Sequence, residues 1–195
     1  LIIGNGRSVL DNSFGEKINQ FPVIGRINNY STIEFEEYVG HKTDIWFNGA
    51  NQNLKKRKEM PKEVVVFIPV EILQRKKEKI HDRITKRLFI PKEKYSLVPL
   101  DTMERYEKHL DVKRPTTGTS SILWGLENFE KVFIHGFDFF IDSKTDYNEN
   151  IIIKWLIDWG INKKAGKHNM IAEKQYIDKL IRENKVTPLK GNLKQ

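Results

Sequence analysis

The chain has 195 residues, 38% of them hydrophobic and 11% aromatic, which suits a single globular domain over residues 1–195 with a sizeable core. It has no cysteine, so disulfides, thiolate metal sites and cysteine nucleophiles are excluded; cytoplasm is the expected compartment. No apolar run approaches a membrane span and no opening series resembles a signal peptide, although Leu1 falls inside a strand pattern, so residues are expected upstream of it.

The net charge of +8 is concentrated in one segment: residues 55–94 hold 14 Lys or Arg against 6 Asp or Glu, and the remainder balances at 20 against 20. Such a segment suits a docking face for something acidic, such as an anionic membrane, a phosphorylated glycolipid or nucleic acid. The plain alternative is a set of solvated lysine-rich helix faces.

In chain order, residues 1–3 read as a strand entering the glycine turn Gly4, Asn5, Gly6, Arg7, Ser8, with a helix starting near Val9. A strand, a glycine turn and a helix start let backbone N–H groups approach a phosphate or a sugar hydroxyl, but this turn has neither the third glycine of a dinucleotide fingerprint nor the lysine of a P-loop. Residues 22–27 and 44–47 read as the next strands, followed by Asn28 and Asn48. With Asn5, three strands would then end in asparagine, and together these side chains would line one crevice with neutral donors and acceptors. Residues 64–68 form a fourth strand pattern, residues 70–87 one amphipathic basic helix, residues 95–100 a strand and residues 102–110 a helix.

The hydroxyl cluster at residues 116–121 leads into an apolar helical pattern, and the run Val132, Phe133, Ile134 then ends in His135, Gly136, Phe137, Asp138. This reads as a helix N-terminus feeding a buried strand whose carboxyl edge opens into a turn, where ligands bind in open α/β sheets. A polar loop over residues 142–150, an apolar segment over 151–159 and a glycine and lysine loop ending at His168 follow. Asn169 is placed to cap a last helix carrying Ala172, Tyr176, Ile177, Leu180 and Ile181, and residues 186–189 suit an edge strand. Alternating strands and helices predict an α/β sandwich with a largely parallel sheet.

No paired-ligand spacing occurs among the five histidines, so no metal is expected. His41, His81 and His109 read as surface residues and His135 as a structural one, while His168, in a loop just before a late helix, is a candidate general base.

Five stretches in order, GNGRSVL, VIGRINNY, GHKTDIWFN, RPTTGTSSILWGLENFEKVFIHGFDFF and KHNMIAEKQYIDKL, resemble the sialyltransferases, both the animal-type sialyl-motif family and the related bacterial CMP-sugar-dependent family. The resemblance rests on Gly4, Asn5, Gly6 and Ser8, on Arg26 and Asn28, on Thr117, Gly118, Gly136, Phe137 and Asp138, and on His168 followed by Glu173. It implies a Rossmann-like, GT-A-type α/β/α sandwich and a metal-independent inverting transfer of a 2-keto sugar acid, sialic acid or Kdo, from a CMP donor to a glycan or glycolipid hydroxyl.

On that resemblance Asn5, Ser8 and Asn28 contact the donor, with Asn48 beside them. Thr117, Gly118 and Thr119 hold cytidine or its phosphate, Gly136, Phe137 and Asp138 floor the nucleotide site, and His168 is the base. Phe139 and Phe140 lack the hydroxyl that assists the leaving phosphate in bacterial members, which leaves Tyr147 as the candidate. Arg7 stands where these families often have proline, and the disulfide of the animal enzymes is impossible here. These departures point to a bacterial or divergent member acting in lipopolysaccharide biosynthesis, peripheral at the inner face of the membrane. The competing expectation is a non-catalytic basic module that binds an anionic membrane or nucleic acid through residues 55–94. Nucleic acid is disfavoured because aromatics do not interleave with the basic run.

Overall fold

The computed structural model describes residues 1–138 and 169–189. Seven strands form one sheet: β1 (Ile2–Ile3), β2 (Gly25–Ile27), β3 (Ile45–Asn48), β4 (Glu63–Val66), β5 (Ser96–Leu97), β6 (Val132–His135) and β7 (Val186–Pro188). All neighbouring pairs are parallel, in the order β5-β4-β3-β2-β1-β6-β7. The chain winds outward from β1 to β5, then returns to the other side of β1 for β6 and β7. The strand order therefore reverses between β1 and β6, with Ile2 beside Ile134 and Ile3 beside His135.

The strands are short and almost wholly apolar because both faces are covered. Adjacent residues of a strand point to opposite faces, and β1 shows the result. Ile3 packs with Val9, Ile18, Ile24 and Val39, beneath α1 (Gly15–Asn19) and α2 (Glu36–Val39). Ile2 belongs to the larger cluster, which includes Ile122 and Leu123 of α6 (Thr117–Asn128) and Ile177 and Leu180 of α7 (Met170–Arg182). That cluster also takes in Leu73 of α3 (Val70–Lys76), Ile84 of α4 (Ile80–Leu88) and Met103 of α5 (Leu100–Leu110). The fold is the α/β sandwich with a parallel sheet that the alternating pattern predicts.

Two elements differ from expectation. The single helix expected over residues 70–87 is two, separated by a 3-10 turn at Lys77–Lys79, with Lys77 in the left-handed region at φ 44°. Residues 74–79 are all exposed, so no buried side chain holds the chain straight there, and one left-handed residue redirects it. The helix expected near Val9 is only a 3-10 turn, Arg7–Asp11. Its first residues are tied to the loop after β6, which prevents a longer helix from winding.

Candidate active site

The carboxyl ends of β1 and β6 flank the strand-order reversal, the position where doubly wound sheets bind ligands. The turns after these strands are hydrogen-bonded to each other. Gly4 N–H donates to the His135 carbonyl at 2.8 Å and Gly6 N–H to the Gly136 carbonyl at 2.9 Å. Such an approach excludes side chains: a Cβ on Gly4 would lie 2.2 Å from the Gly136 carbonyl oxygen, and one on Gly6 would lie 2.4 Å from the Asp138 carboxyl carbon. Gly136 has φ +71°, and a Cβ there would lie 2.2 Å from Val9 Cγ1.

Asp138 closes this double turn. Ser8 N–H donates to its Oδ2 at 3.0 Å and the Ser8 hydroxyl donates to its Oδ1. The hydroxyl proton of Ser8 is thus engaged with Asp138, so toward a donor Ser8 has acceptor lone pairs to offer rather than that proton. Asp138 thereby holds the Gly4–Ser8 turn in place.

The three asparagines stand at the same edge of the sheet. Asn5 donates from Nδ2 to the Ile27 carbonyl at 3.0 Å, joining the ends of β1 and β2, and its buried Oδ1 has no hydrogen-bond partner among the described residues. Asn28, at φ 48°, accepts Gly49 N–H on Oδ1 at 3.2 Å, joining β2 to β3. Asn48 is completely buried; its Oδ1 accepts Ala50 N–H at 3.2 Å, and its Nδ2 has no partner among the described residues. Each asparagine has a structural task, and two also retain an unmet polar atom beside the crevice.

The fourth wall is the start of α6. Thr116 caps it, accepting Thr119 N–H on its hydroxyl at 3.1 Å, and Ser120 N–H bonds the Thr116 carbonyl. The N–H groups of Thr117 and Gly118 have no partner among the described residues and carry the positive end of the helix dipole. Thr117 faces Gly49, and Gly118 lies against Phe137 and Ile27. Thr119 is fully buried with its N–H capped, so the exposed donors of this turn are Thr117 and Gly118.

Two further residues build the site. Glu173 of α7, completely buried, accepts Thr116 N–H at 3.2 and 3.1 Å on its two oxygens and the Thr116 hydroxyl at 2.6 Å. It fixes the start of α6 from a position 57 residues away in sequence. Arg57, expected to belong to an exposed docking face, instead stacks 3.5 Å over the Tyr30 ring and donates to the Asn28 and Tyr30 carbonyls at 3.0 and 3.2 Å. A lone arginine within a lysine-rich run was its only sequence signal. Arg26, by contrast, is wholly buried and serves the segment leading into β3, bonding the Val39, Gly40 and Lys42 carbonyls and the Thr43 hydroxyl.

His135 is 8% exposed and lies 5.5 Å from the Phe14 ring, and burial pushes its imidazole below the ordinary range. His81, expected at the surface, is half-buried against Tyr95, with its Nδ1 2.8 Å from the phenol oxygen. His168 and Tyr147, the expected base and leaving-group residue, lie outside the described residues. Among the described residues no three His, Asp or Glu side chains gather as a cation site.

Contacts link the Gly4–Ser8 turn, Gly136, Phe137 and Asp138 to Gly118 and, through Gly49, Asn28 to Thr117, whereas Asn48 and Thr119 are wholly buried behind this edge. The edge combines neutral hydrogen-bonding groups with a helix N-terminus, which can accept an anion. An open groove of about 680 Å³ lies elsewhere, beside β5, and includes none of these residues.

Known proteins share both the sequence pattern and the fold. Two crystal structures of a mammalian sialyltransferase, one in complex with Gal-beta-1-3GalNAc-ortho-nitrophenol, superpose with a TM-score of 0.70 at 20% identity, covering 98% of this chain and 68% of theirs. A β-1,6-galactosyltransferase of Arabidopsis thaliana is 36% identical over 50 residues, 26% of this chain and 13% of that protein's length. The profile of glycosyltransferase family 29 (sialyltransferase) matches residues 1–185, from β1 through α7. The chain thus belongs to glycosyltransferase family 29, the sialyltransferase family.

Proposed function

We propose that the chain is a CMP-sugar-dependent glycosyltransferase that moves a 2-keto sugar acid, sialic acid or Kdo, to a hydroxyl of a glycan or glycolipid such as a lipopolysaccharide, with inversion and without a metal. The observation that carries this reading is the crevice at the β1/β6 reversal, where Phe137 and Ile27 stand between the start of α6 at Gly118 and the Gly4–Ser8 turn, and where the N–H groups of Thr117 and Gly118 have no partner among the described residues. One phosphate monoester leaves in this reaction, and two N–H donors at a helix start are matched to its charge, whereas a diphosphate would favour a divalent cation.

In the proposed step the acceptor hydroxyl loses its proton to His168 as its oxygen forms a bond to C2 of the sugar acid. The bond from C2 to the phosphate oxygen breaks on the opposite side, and its electron pair leaves on CMP. Tyr147 is proposed to donate a hydrogen bond to that phosphate. Supporting a base at His168, the chain enters α7 immediately after it, and Glu173 ties the first turn of α7 to the start of α6.

The Arabidopsis relative is named for a different transferred sugar, so the donor must be tested rather than assigned from family membership. CMP at about 100 times its Kd is expected to add ~2.7 kcal/mol, raising Tm by roughly 5–10 °C, with UDP and CDP far less effective. A larger shift with UDP would overturn the CMP assignment. Mass spectrometry with CMP-sialic acid and CMP-Kdo should then identify which is hydrolysed or transferred. His168→Ala is expected to lower transfer by about 10²- to 10⁴-fold while leaving the CMP shift intact; unchanged turnover would remove His168 as the base.

A further inference from the structure

The groove beside β5 is remote from the transfer chemistry. β5 is four strands from β1 in the sheet order, roughly 19 Å at the usual strand spacing. Its floor is apolar, formed by Leu73, Leu97, Val98, Pro99 and Leu100, and its wall carries Lys77, His81, Lys92 and Tyr95. Leu100 remains 40% exposed although it starts a helix packed on the core.

Two lysines, Lys77 and Lys92, line the groove, and Arg75, Lys76, Lys79 and Lys94 adjoin them in the chain; all six are exposed, and among the described residues none has a salt-bridge partner. Glu78, Asp82 and Glu93 are interspersed with them, and Asp101 follows Leu100 while Glu104 accepts from Gln74, so the six cations exceed the five neighbouring carboxylates by one. This is where the uneven charge of residues 55–94 becomes a surface with a shape: Arg57 is folded inward over Tyr30 and Arg87 bonds the Ala50 carbonyl at 2.7 Å, but the lysines of the α3/α4 break project outward.

We infer that this groove and its rim are a docking surface for an anionic phospholipid membrane, the lysines meeting lipid phosphates and Leu100 meeting the glycerol and acyl region. An apolar floor ringed by cations matches a surface in which phosphates lie beside hydrocarbon. A nucleic acid would leave that floor without a partner, because the ring on the wall, Tyr95, stands against His81 with centroids 6.0 Å apart rather than presenting a free stacking face. Docking here would hold the chain at a membrane while leaving the β1/β6 crevice uncovered, and it does not depend on which sugar is transferred.

The test is sedimentation of the full chain with vesicles of phosphatidylcholine alone and of phosphatidylcholine with about 30% phosphatidylglycerol. Binding is expected only to the anionic vesicles and should fall as salt rises. Lys77→Gln with Lys92→Gln is expected to weaken it about 25-fold, some fivefold per lysine. Lys55→Gln with Lys58→Gln, the same charge change at exposed positions away from the groove, should cost clearly less. Leu100→Ser should lower affinity several-fold without changing the salt dependence. Equal losses from the two lysine pairs, or no effect of Leu100→Ser, would overturn the assignment. So would displacement by millimolar inorganic phosphate at constant ionic strength, which would mark a soluble-phosphate site. All five positions are exposed, so the variants should fold, and an unchanged Tm is the control.

Discussion

Gly136→Ala is expected to lower stability by about 2–5 kcal/mol and to abolish the CMP-induced rise in Tm. The left-handed backbone at φ +71° costs ~1–2 kcal/mol once a Cβ is present. The new methyl would lie 2.2 Å from Val9 Cγ1, and relieving an overpacked core contact costs about 1–3 kcal/mol more. At roughly 2–4 °C per kcal/mol for a chain of this size, Tm should drop by about 10 °C. Binding should fail for a separate reason: the Gly136 carbonyl accepts Gly6 N–H, so moving this residue displaces the turn proposed to hold the donor. Gly125→Ala is the contrasting variant, because that glycine lies inside α6 and its Cβ would meet only side-chain methyls, that of Ile2 at 3.0 Å and those of Val132 at 3.4 and 3.7 Å. Helix propensity favours alanine there by ~1 kcal/mol, so stability should change little. Equal melting temperatures for Gly136→Ala and the unmodified chain would contradict this account of the double turn.

Glu173→Ala should be nearly as damaging, by about 3–5 kcal/mol. It removes the acceptor of both the Thr116 N–H and the Thr116 hydroxyl, and hydrogen bonds to charged groups contribute ~1.5–3 kcal/mol each. Burying a carboxylate is costly, and among the described residues no cation pairs with Glu173. What offsets the cost is its position at the positive end of α6, where dipole and capping donors stabilise negative charge. Glu173→Gln keeps one acceptor oxygen, so it should lose less stability than alanine yet still weaken CMP binding, because the start of α6 is then held from one side only. Circular dichroism melts with and without CMP separate the two effects. Normal CMP binding by a folded Glu173→Ala protein would show that α7 does not position the α6 donors.

Local patterns alone made much of this fold legible. A parallel sheet covered on both faces needs short apolar strands, and Ile45–Asn48 and Val132–His135 have that composition with turn residues directly after them. Asn169 was readable as a cap and the 116–121 hydroxyl cluster as a helix start because an N-cap is a local hydrogen bond; Asn169 accepts from Ala172 N–H, and within the cluster Thr116 accepts from Thr119 N–H. The break at Lys77 was not readable. A helix pattern records which side chains are apolar, while continuity through residues 74–79 depended on whether anything buried would hold them.

Within the site, residue types at strand ends and their resemblance to the sialyltransferases selected positions most of which the fold brings to one edge of the sheet, where ligands collect when a parallel sheet reverses its order. The roles were a different matter. Ser8 and Asp138 are 130 positions apart, and only the strand order β2-β1-β6 puts the carboxylate over the serine. Arg57 and Lys77 belong to one basic run, yet one lies over Tyr30 and the other faces solvent at the groove. The sequence by itself determined most of the strands and the starts of α6 and α7, because these follow from interactions within a few residues; the need for glycine in the double turn comes from the close approach of Gly4 to Gly136 and of Gly6 to Asp138. The tertiary structure decided which polar groups are already engaged and which remain open to a ligand, because hydrogen bonds across the sheet depend on strand order and register.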